Sequence, residues 1–274
     1  MTDLFAATAE ADGKVTDVTK TAITVTYTDG SVKKVELGKR YGKAAGVTYP
    51  HEVVTDFKKG DKVNQGDVIA YNRKYFTPDV FNPGQVTLKP GALCRTALID
   101  NIDTLEDGSV ISEAMAKKMT TQTTEVRTIQ VKFDQSVSGL VKEGDHVDLE
   151  TILCTIEDPE TAENPLFDDA ALDTLRRLSA MTPRAKVVGT VSRVECFYHG
   201  EFEDLSESLQ ELAGWSDKQR KKRAKQLGQP PFTGEVDTSF RVEGNALDPD
   251  TLAIQVYIDH DIPAGVGDCD CRVQ

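Results

Sequence analysis

Apolar and polar positions alternate strongly between Gly13 and Glu36, with Val15, Val18, Ile23, Val25, Tyr27, Val32 and Val35 on the apolar side. The pattern predicts a β-hairpin closed by Thr28-Asp29-Gly30-Ser31, the Asp-Gly pair supplying the positive φ angles of a tight turn. A second β region runs from Val53 to Tyr71. It holds Lys59-Gly60-Asp61-Lys62-Val63 and Gln65-Gly66-Asp67-Val68-Ile69-Ala70, a turn-strand-turn-strand unit in which each glycine permits a sharp reversal. A related unit recurs from Val141 to Leu153, around Gly144-Asp145-His146-Val147, so the Gly-Asp-x-Val turn appears twice. Short strands joined through such turns suit barrel or sandwich-hybrid β folds.

Helical periodicity is confined to a few places. Ser112 to Met119 predicts a short helix, and Asp168 to Leu178 another, with Leu172, Leu175 and Leu178 on one stripe. The stretch from Asp158 to Pro165 reads as a loop. A longer helical excursion from Asp204 to Leu227 is expected to break near Gly214 and restart at a capping box, Ser216-Asp217-Lys218-Gln219, before Gly228 and Pro230-Pro231 end it. Strand alternation fills Glu125 to Phe133, Lys186 to Tyr198 (as a strand pair), Glu235 to Val242 and Leu252 to Ile258. The layout is mainly β, a β-rich α+β fold with a helical insertion between two strands.

The 274 residues, 39% of them hydrophobic, suffice for one large or two moderate domains of a soluble globular protein. The longest apolar runs fall far short of the ~20 residues that cross a bilayer, and Met1-Thr2-Asp3-Leu4-Phe5-Ala6-Ala7 has no basic start or long apolar stretch, so neither a membrane span nor a secretory signal is expected. Five scattered cysteines, Cys94, Cys154, Cys196, Cys269 and Cys271, fit reduced thiols better than a disulfide framework. His51, His146, His199 and His260 lack metal-ligand spacing, and Cys269-Asp270-Cys271 has no second pair to complete a zinc site.

A net charge of −13 excludes tight nucleic-acid binding through bulk electrostatics and leaves a local patch as the one route to it. The dense candidate is Arg220-Lys221-Lys222-Arg223-Ala224-Lys225, either the solvated face of a helix or a contact to nucleic acid or an acidic partner. Trp215, just before the capping box, reads as a packing anchor rather than a base-stacking platform.

Several of these segments, taken in order, resemble the large β-type subunit of multisubunit DNA-dependent RNA polymerases. They are the Gly13-Lys14-Val15 strand start, the 56–70 turn unit, Glu106-Asp107 followed by Ile111-Ser112-Glu113, the turn at Gly144-Asp145, the strand at Gly189-Thr190-Val191, and Val256-Tyr257-Ile258 leading to Gly267-Asp268. The resemblance, to a divergent phage-type member, implies a double-psi β-barrel portion with a sandwich-barrel-hybrid flap. It would place the first part of the barrel region in residues 1–128, a flap-like module in 129–251 with the helical insertion at 204–228, a strand returning to the barrel in 252–268, and an atypical tail in 269–274.

It also implies that Glu106 and Asp107 are an auxiliary acidic pair near the incoming nucleotide and its magnesium, a hard cation that prefers oxygen ligands. The magnesium itself would be held mainly by a partner subunit. The implied partners are a C-terminal β-like fragment, β′-like subunits, and DNA template and RNA within the assembly, in the cytoplasm of an infected bacterial host or packaged in a virion. Where the family continues after Gly-Asp with phosphate-gripping lysines, this sequence has Cys269, so the isolated chain is expected to lack nucleotidyl transfer, and a split or interrupted gene is expected to supply the remainder. The rival expectation is a non-enzymatic structural β-protein of a virion that keeps the fold without the chemistry. A carrier domain built on the Gly-Asp turns is disfavoured, because no Met-Lys-Met-like or Asp-Lys-Ala-like hairpin tip appears.

Overall fold

The structure, a computed structural model, describes residues 5–89, 91–97, 110–158, 180–242 and 245–265. Its strands and few helices make a mainly β, β-rich α+β fold with antiparallel sheets. The chain divides into two units, one of Met1–Thr123 with Asp261–Gln274 and one of Thr124–His260.

In the first unit the strands are β1 (Ala6–Thr8), β2 (Gly13–Val18), β3 (Ala22–Tyr27), β4 (Val32–Glu36), β5 (Gly38–Ala44), β6 (Val47–Val54), β7 (Lys62–Val63), β8 (Val68–Asn72), β9 (Phe76–Pro78) and β10 (Val86–Leu88), followed by the helix α1 (Glu113–Lys118). Strands β4, β3, β2 and β7 form one antiparallel sheet, while β1, β8 and β6 line up in another with β5 paired to β6. The core takes Val15, Ile23, Val25, Tyr27 and Val35 from the alternating positions and adds Val53, Val63 and Ile69, whereas Val18 is only partly buried and Val32 is 61% exposed.

The predicted hairpin of residues 13–36 is instead a three-stranded meander, because the chain also reverses between β2 and β3. There the Thr19 hydroxyl donates to the Ala22 carbonyl (3.0 Å) and accepts from the Ala22 N–H (3.0 Å), closing the extra turn. In the β3–β4 turn only Gly30 takes a positive φ (85°). Asp29 acts differently, its carboxylate accepting from the Ser31 N–H at 2.8 Å. Helix α1 matches its prediction, with the Ser112 hydroxyl capping the Met115 N–H.

The second unit holds β11 (Thr121–Lys132, which begins in the first unit), β12 (Ser136–Ser138), β13 (His146–Val147), β14 (Thr155–Glu157), β15 (Gly189–His199), the helix α2 (Glu207–Leu227), β16 (Arg241–Val242), β17 (Asn245–Ala246) and β18 (Thr251–Ile262, which ends in the first unit). Residues 186–198, expected as a strand pair, contribute one long strand, β15, which pairs antiparallel with β18 from Thr190↔Asp259 to His199↔Thr251. Of the strand expected over 235–242 only Arg241–Val242 forms, beyond a single bridge of Glu235 to Tyr198. The core comprises Val131, Leu153, Val191, Leu252, Ile254, Val256 and Ile258 among others. A buried carboxylate ties three of its strands: Asp259 of β18 accepts from Thr124 of β11 (2.6 Å) and Ser192 of β15 (3.1 Å).

The Gly-Asp turns share one hydrogen-bond scheme. Asp61 accepts the Lys58 N–H on its carboxylate (2.7 Å), while its own N–H donates to the Lys58 carbonyl (3.1 Å). Asp67 does the same with Asn64 (2.8 and 3.1 Å), and Asp145 with Lys142 (2.8 and 3.1 Å). Each preceding glycine lies at φ between 90° and 99° (Gly60 99°, Gly66 90°, Gly144 98°). Each turn then clasps a residue outside it. The Gly60 N–H donates to the Val15 carbonyl (2.9 Å) and the Val15 N–H to the Asp61 carbonyl (2.9 Å); Gly144, Asp145 and Val191 repeat this at 2.7 and 2.8 Å. A side chain at the fourth turn position replaces the water that would otherwise solvate the first N–H.

The likeness extends beyond the turns. Val63 pairs with Gly13 and Val147 with Gly189, each valine 1% exposed, and both glycine-headed strands carry a register shift two to four residues on, at Val15/Asp17 and Val191/Arg193. A Cβ on Gly13 would lie 2.5 Å from the Thr26 carbonyl oxygen, and one on Gly189 would lie 2.3 Å from that of Asp259. The same module is therefore built twice, with the glycine-headed strand before the turn unit in the first half and after it in the second.

Candidate functional site

The acidic pair Glu106-Asp107, Gly267-Asp268, the cysteine tail and the helix expected at 168–178 lie outside the described residues. The described flank of the acidic pair is α1, exposed along most of its length, with Lys117 paired to Glu113 at 2.7 Å. Among the described residues no group of three His, Cys, Asp or Glu side chains is gathered as a metal would need. No helix is long and apolar enough to cross a membrane among them.

The basic segment is fully described. It belongs to α2, which is one continuous helix rather than two, running through Gly214 and ending at Gly228 in the left-handed conformation (φ 67°). The reason is tertiary. Leu209, Ala213, Ser216 and Ala224 are buried at successive spacings of four, three and eight, so one stripe packs inward on both sides of Gly214 and outweighs the ~1 kcal/mol that a mid-helix glycine costs. Ser216, expected to cap a restarted helix, instead accepts the Cys196 N–H of β15 on its hydroxyl at 3.2 Å.

One turn of α2 anchors the helix through polar groups. The Asp217 carboxylate accepts from the Gly234 N–H (2.6 Å), from Arg220 Nη1 (3.2 Å) and from the Tyr198 hydroxyl (3.4 Å). Arg220 lies with its guanidinium 4.3 Å from the Phe197 ring centre and 5.8 Å from that of Phe232, a stacked cation between aromatic faces. Its side chain is 10% exposed, and its Nη2 is buried without a hydrogen-bond partner. Burial, then the Asp217 charge, pushes the Tyr198 hydroxyl up to about 12, and burial pushes the Cys196 thiol up to about 12, so both stay protonated, Tyr198 as a donor to Asp217 and Cys196 as a packing group.

The structure thus separates the six-residue run by direction. Arg220 faces the core, Arg223 is partly exposed, and Lys221, Lys222 and Lys225 stand in solvent together with Lys218. Sequence reasoning placed Arg220 with the lysines because they are contiguous; the helical period sends it to the opposite side. Lys218 was not singled out, although its spacing to Lys222 and Lys225 carries the signal. Trp215 is 39% exposed on that outer side rather than enclosed.

A second buried polar cluster sits in the first unit. The Asn72 amide meets His51 Nδ1 at 2.7 Å, and the imidazole is walled by Phe5 (5.6 Å, edge-on) and Tyr75 (6.0 Å, stacked). Burial, with the charges of Lys74 and Arg40, holds His51 below its ordinary 6.5, so the neutral ring accepts on Nδ1.

Compared with known proteins, the chain matches no protein-family model and no curated protein.

Proposed function

We propose that this chain is part of a β-like subunit of a DNA-dependent RNA polymerase, supplying one barrel wall and the flap of an active-site cleft and acting in template-directed RNA synthesis when assembled with partner subunits. The observation that carries this reading is the ordered set of segments from Gly13 to Asp268 that resembles the polymerase β-type subunit. A β-rich chain with two Gly-Asp turn modules, one of them adjoining a helical insertion, supports it. Glu106 and Asp107 would act as auxiliary oxygen donors beside a magnesium held mainly by the β′-like partner. Their task would be to orient metal-bound water or nucleotide phosphate, as carboxylates do around a hard cation. The basic helix would contact nucleic acid or an acidic partner.

Affinity purification of the tagged chain from its native host tests this reading. Recovery of β′-like and further β-like chains, with magnesium-dependent RNA synthesis from a DNA template, supports it. Recovery only of particle structural proteins, without RNA synthesis, would favour the structural reading, for which Cys269 in place of the family's lysine is the specific observation.

A further inference from the structure

We propose that the outer face of α2 is a docking strip for single-stranded nucleic acid, formed by Trp215, Lys218, Lys222 and Lys225. The inference rests on the polymerase reading for its setting and on helix geometry for its chemistry. The four positions follow one another at spacings of three, four and three, which stacks them on one side of an α-helix over about 15 Å of axis. That side is opposite the buried stripe of Leu209, Ala213, Ser216 and Ala224. Lys221 flanks the strip, and Glu211 lies one turn before Trp215, at the end away from the lysines.

Three observations direct the strip towards an unpaired polynucleotide. Among the described residues no carboxylate pairs with Lys218, Lys221, Lys222 or Lys225, so these cations are available to an external anion. The neighbouring cation, Arg220, is held inward by Asp217 and Phe197 and is not part of the strip. Trp215, 39% exposed in line with the lysines, adds an aromatic side chain on which an unpaired base can stack, whereas the bases of a duplex are already stacked on one another. On a chain of net charge −13, a polyanion needs a local cationic patch, and this strip supplies one.

The chain contains one tryptophan, so its intrinsic fluorescence reports this strip directly. The test titrates the full-length chain with a labelled 12-nucleotide oligouridylate, following both anisotropy and tryptophan emission. Binding should quench Trp215, and the logarithm of the binding constant should fall with the logarithm of salt with a slope of about −2, from ~0.7 per phosphate contact and three lysines. The variant K218Q/K222Q/K225Q should weaken binding at least tenfold, while K58Q/K59Q, on exposed lysines of the other unit, should leave it unchanged; circular dichroism confirms that each variant is folded.

Absence of binding, wild-type affinity in the triple variant, or equal affinity for polyglutamate would overturn the proposal. If the strip binds while the purified complex contains no polymerase chains, the polymerase reading alone fails. If the complex transcribes but the oligonucleotide does not bind, the strip alone fails.

Discussion

Replacing Asp217 by alanine removes one acceptor shared by three donors and leaves each of them inside the protein. The Gly234 N–H (2.6 Å) loses a charged partner, and the Arg220 guanidinium, its side chain 10% exposed, loses its counter-ion while still wedged against Phe197. Breaking a buried pair from one side costs about 3–5 kcal/mol, because the remaining charge stays desolvated. The 3.2 and 3.4 Å lengths of the bonds from Arg220 and Tyr198 place the loss at the lower end, about 3 kcal/mol, a large share of the roughly 5–15 kcal/mol that holds a typical domain folded. The assay is urea unfolding followed by the emission of Trp215, which sits on the same helix. Asp217→Ala should lower the midpoint strongly. Asp217→Asn, which keeps an acceptor oxygen but no charge, should lose less. In the double variant Asp217→Ala/Arg220→Met, removal of the stranded cation should restore part of the loss. A loss below about 1 kcal/mol in Asp217→Ala, or strictly additive effects in the double variant, would refute the reasoning that this carboxylate pins α2 to its unit.

Other outcomes follow from the same geometry. Gly214→Ala should stabilise α2 by about 0.5–1 kcal/mol in the same urea assay, since the nearest atom to the new Cβ is Phe202 Cζ at 3.9 Å; destabilisation would mean the helix needs a break there. Gly13→Ala and Gly189→Ala should each cost about 3 kcal/mol in thermal melts, because each Cβ would meet a backbone carbonyl at 2.5 or 2.3 Å; a neutral result at either would deny the equivalence of the two modules. The lowered His51 pKa adds stability that is present above its unfolded value of 6.5 and lost as pH falls below it. Lowering the pH from 7 to 5 should therefore reduce the midpoint more in the wild type than in His51→Gln, and an NMR titration should put His51 below 6.5; a value at or above 6.5 contradicts the buried neutral ring.

Much of the β framework was legible because it obeys a period of two. Val15, Ile23, Val25 and Val35 are both the alternating apolar positions and the core. The Gly-Asp turns were legible because a glycine at positive φ and an aspartate four positions into a turn carry local chemistry. Strand β5, Gly-Lys-Arg-Tyr-Gly-Lys-Ala, was not, since it is held by its ladder to β6 rather than by an apolar face. The repeat of the whole module was hidden because its two parts exchange order along the chain. Helix α2 looked broken because local glycine and capping signals were visible while the packing that overrides them was not. The basic run looked uniform because adjacency in sequence conceals the hundred-degree step between neighbours on a helix. Glu106 and Asp107 were singled out through resemblance, and they fall outside the described residues.

The most direct test of the polymerase account is nucleotide addition by the purified complex carrying Glu106→Ala and Asp107→Ala together. The account predicts that the complex assembles with the same chains while RNA synthesis, or its apparent magnesium affinity, falls by about 10–100-fold, as expected when supporting groups around a metal are removed. Wild-type synthesis rates and magnesium dependence in an intact complex would contradict it.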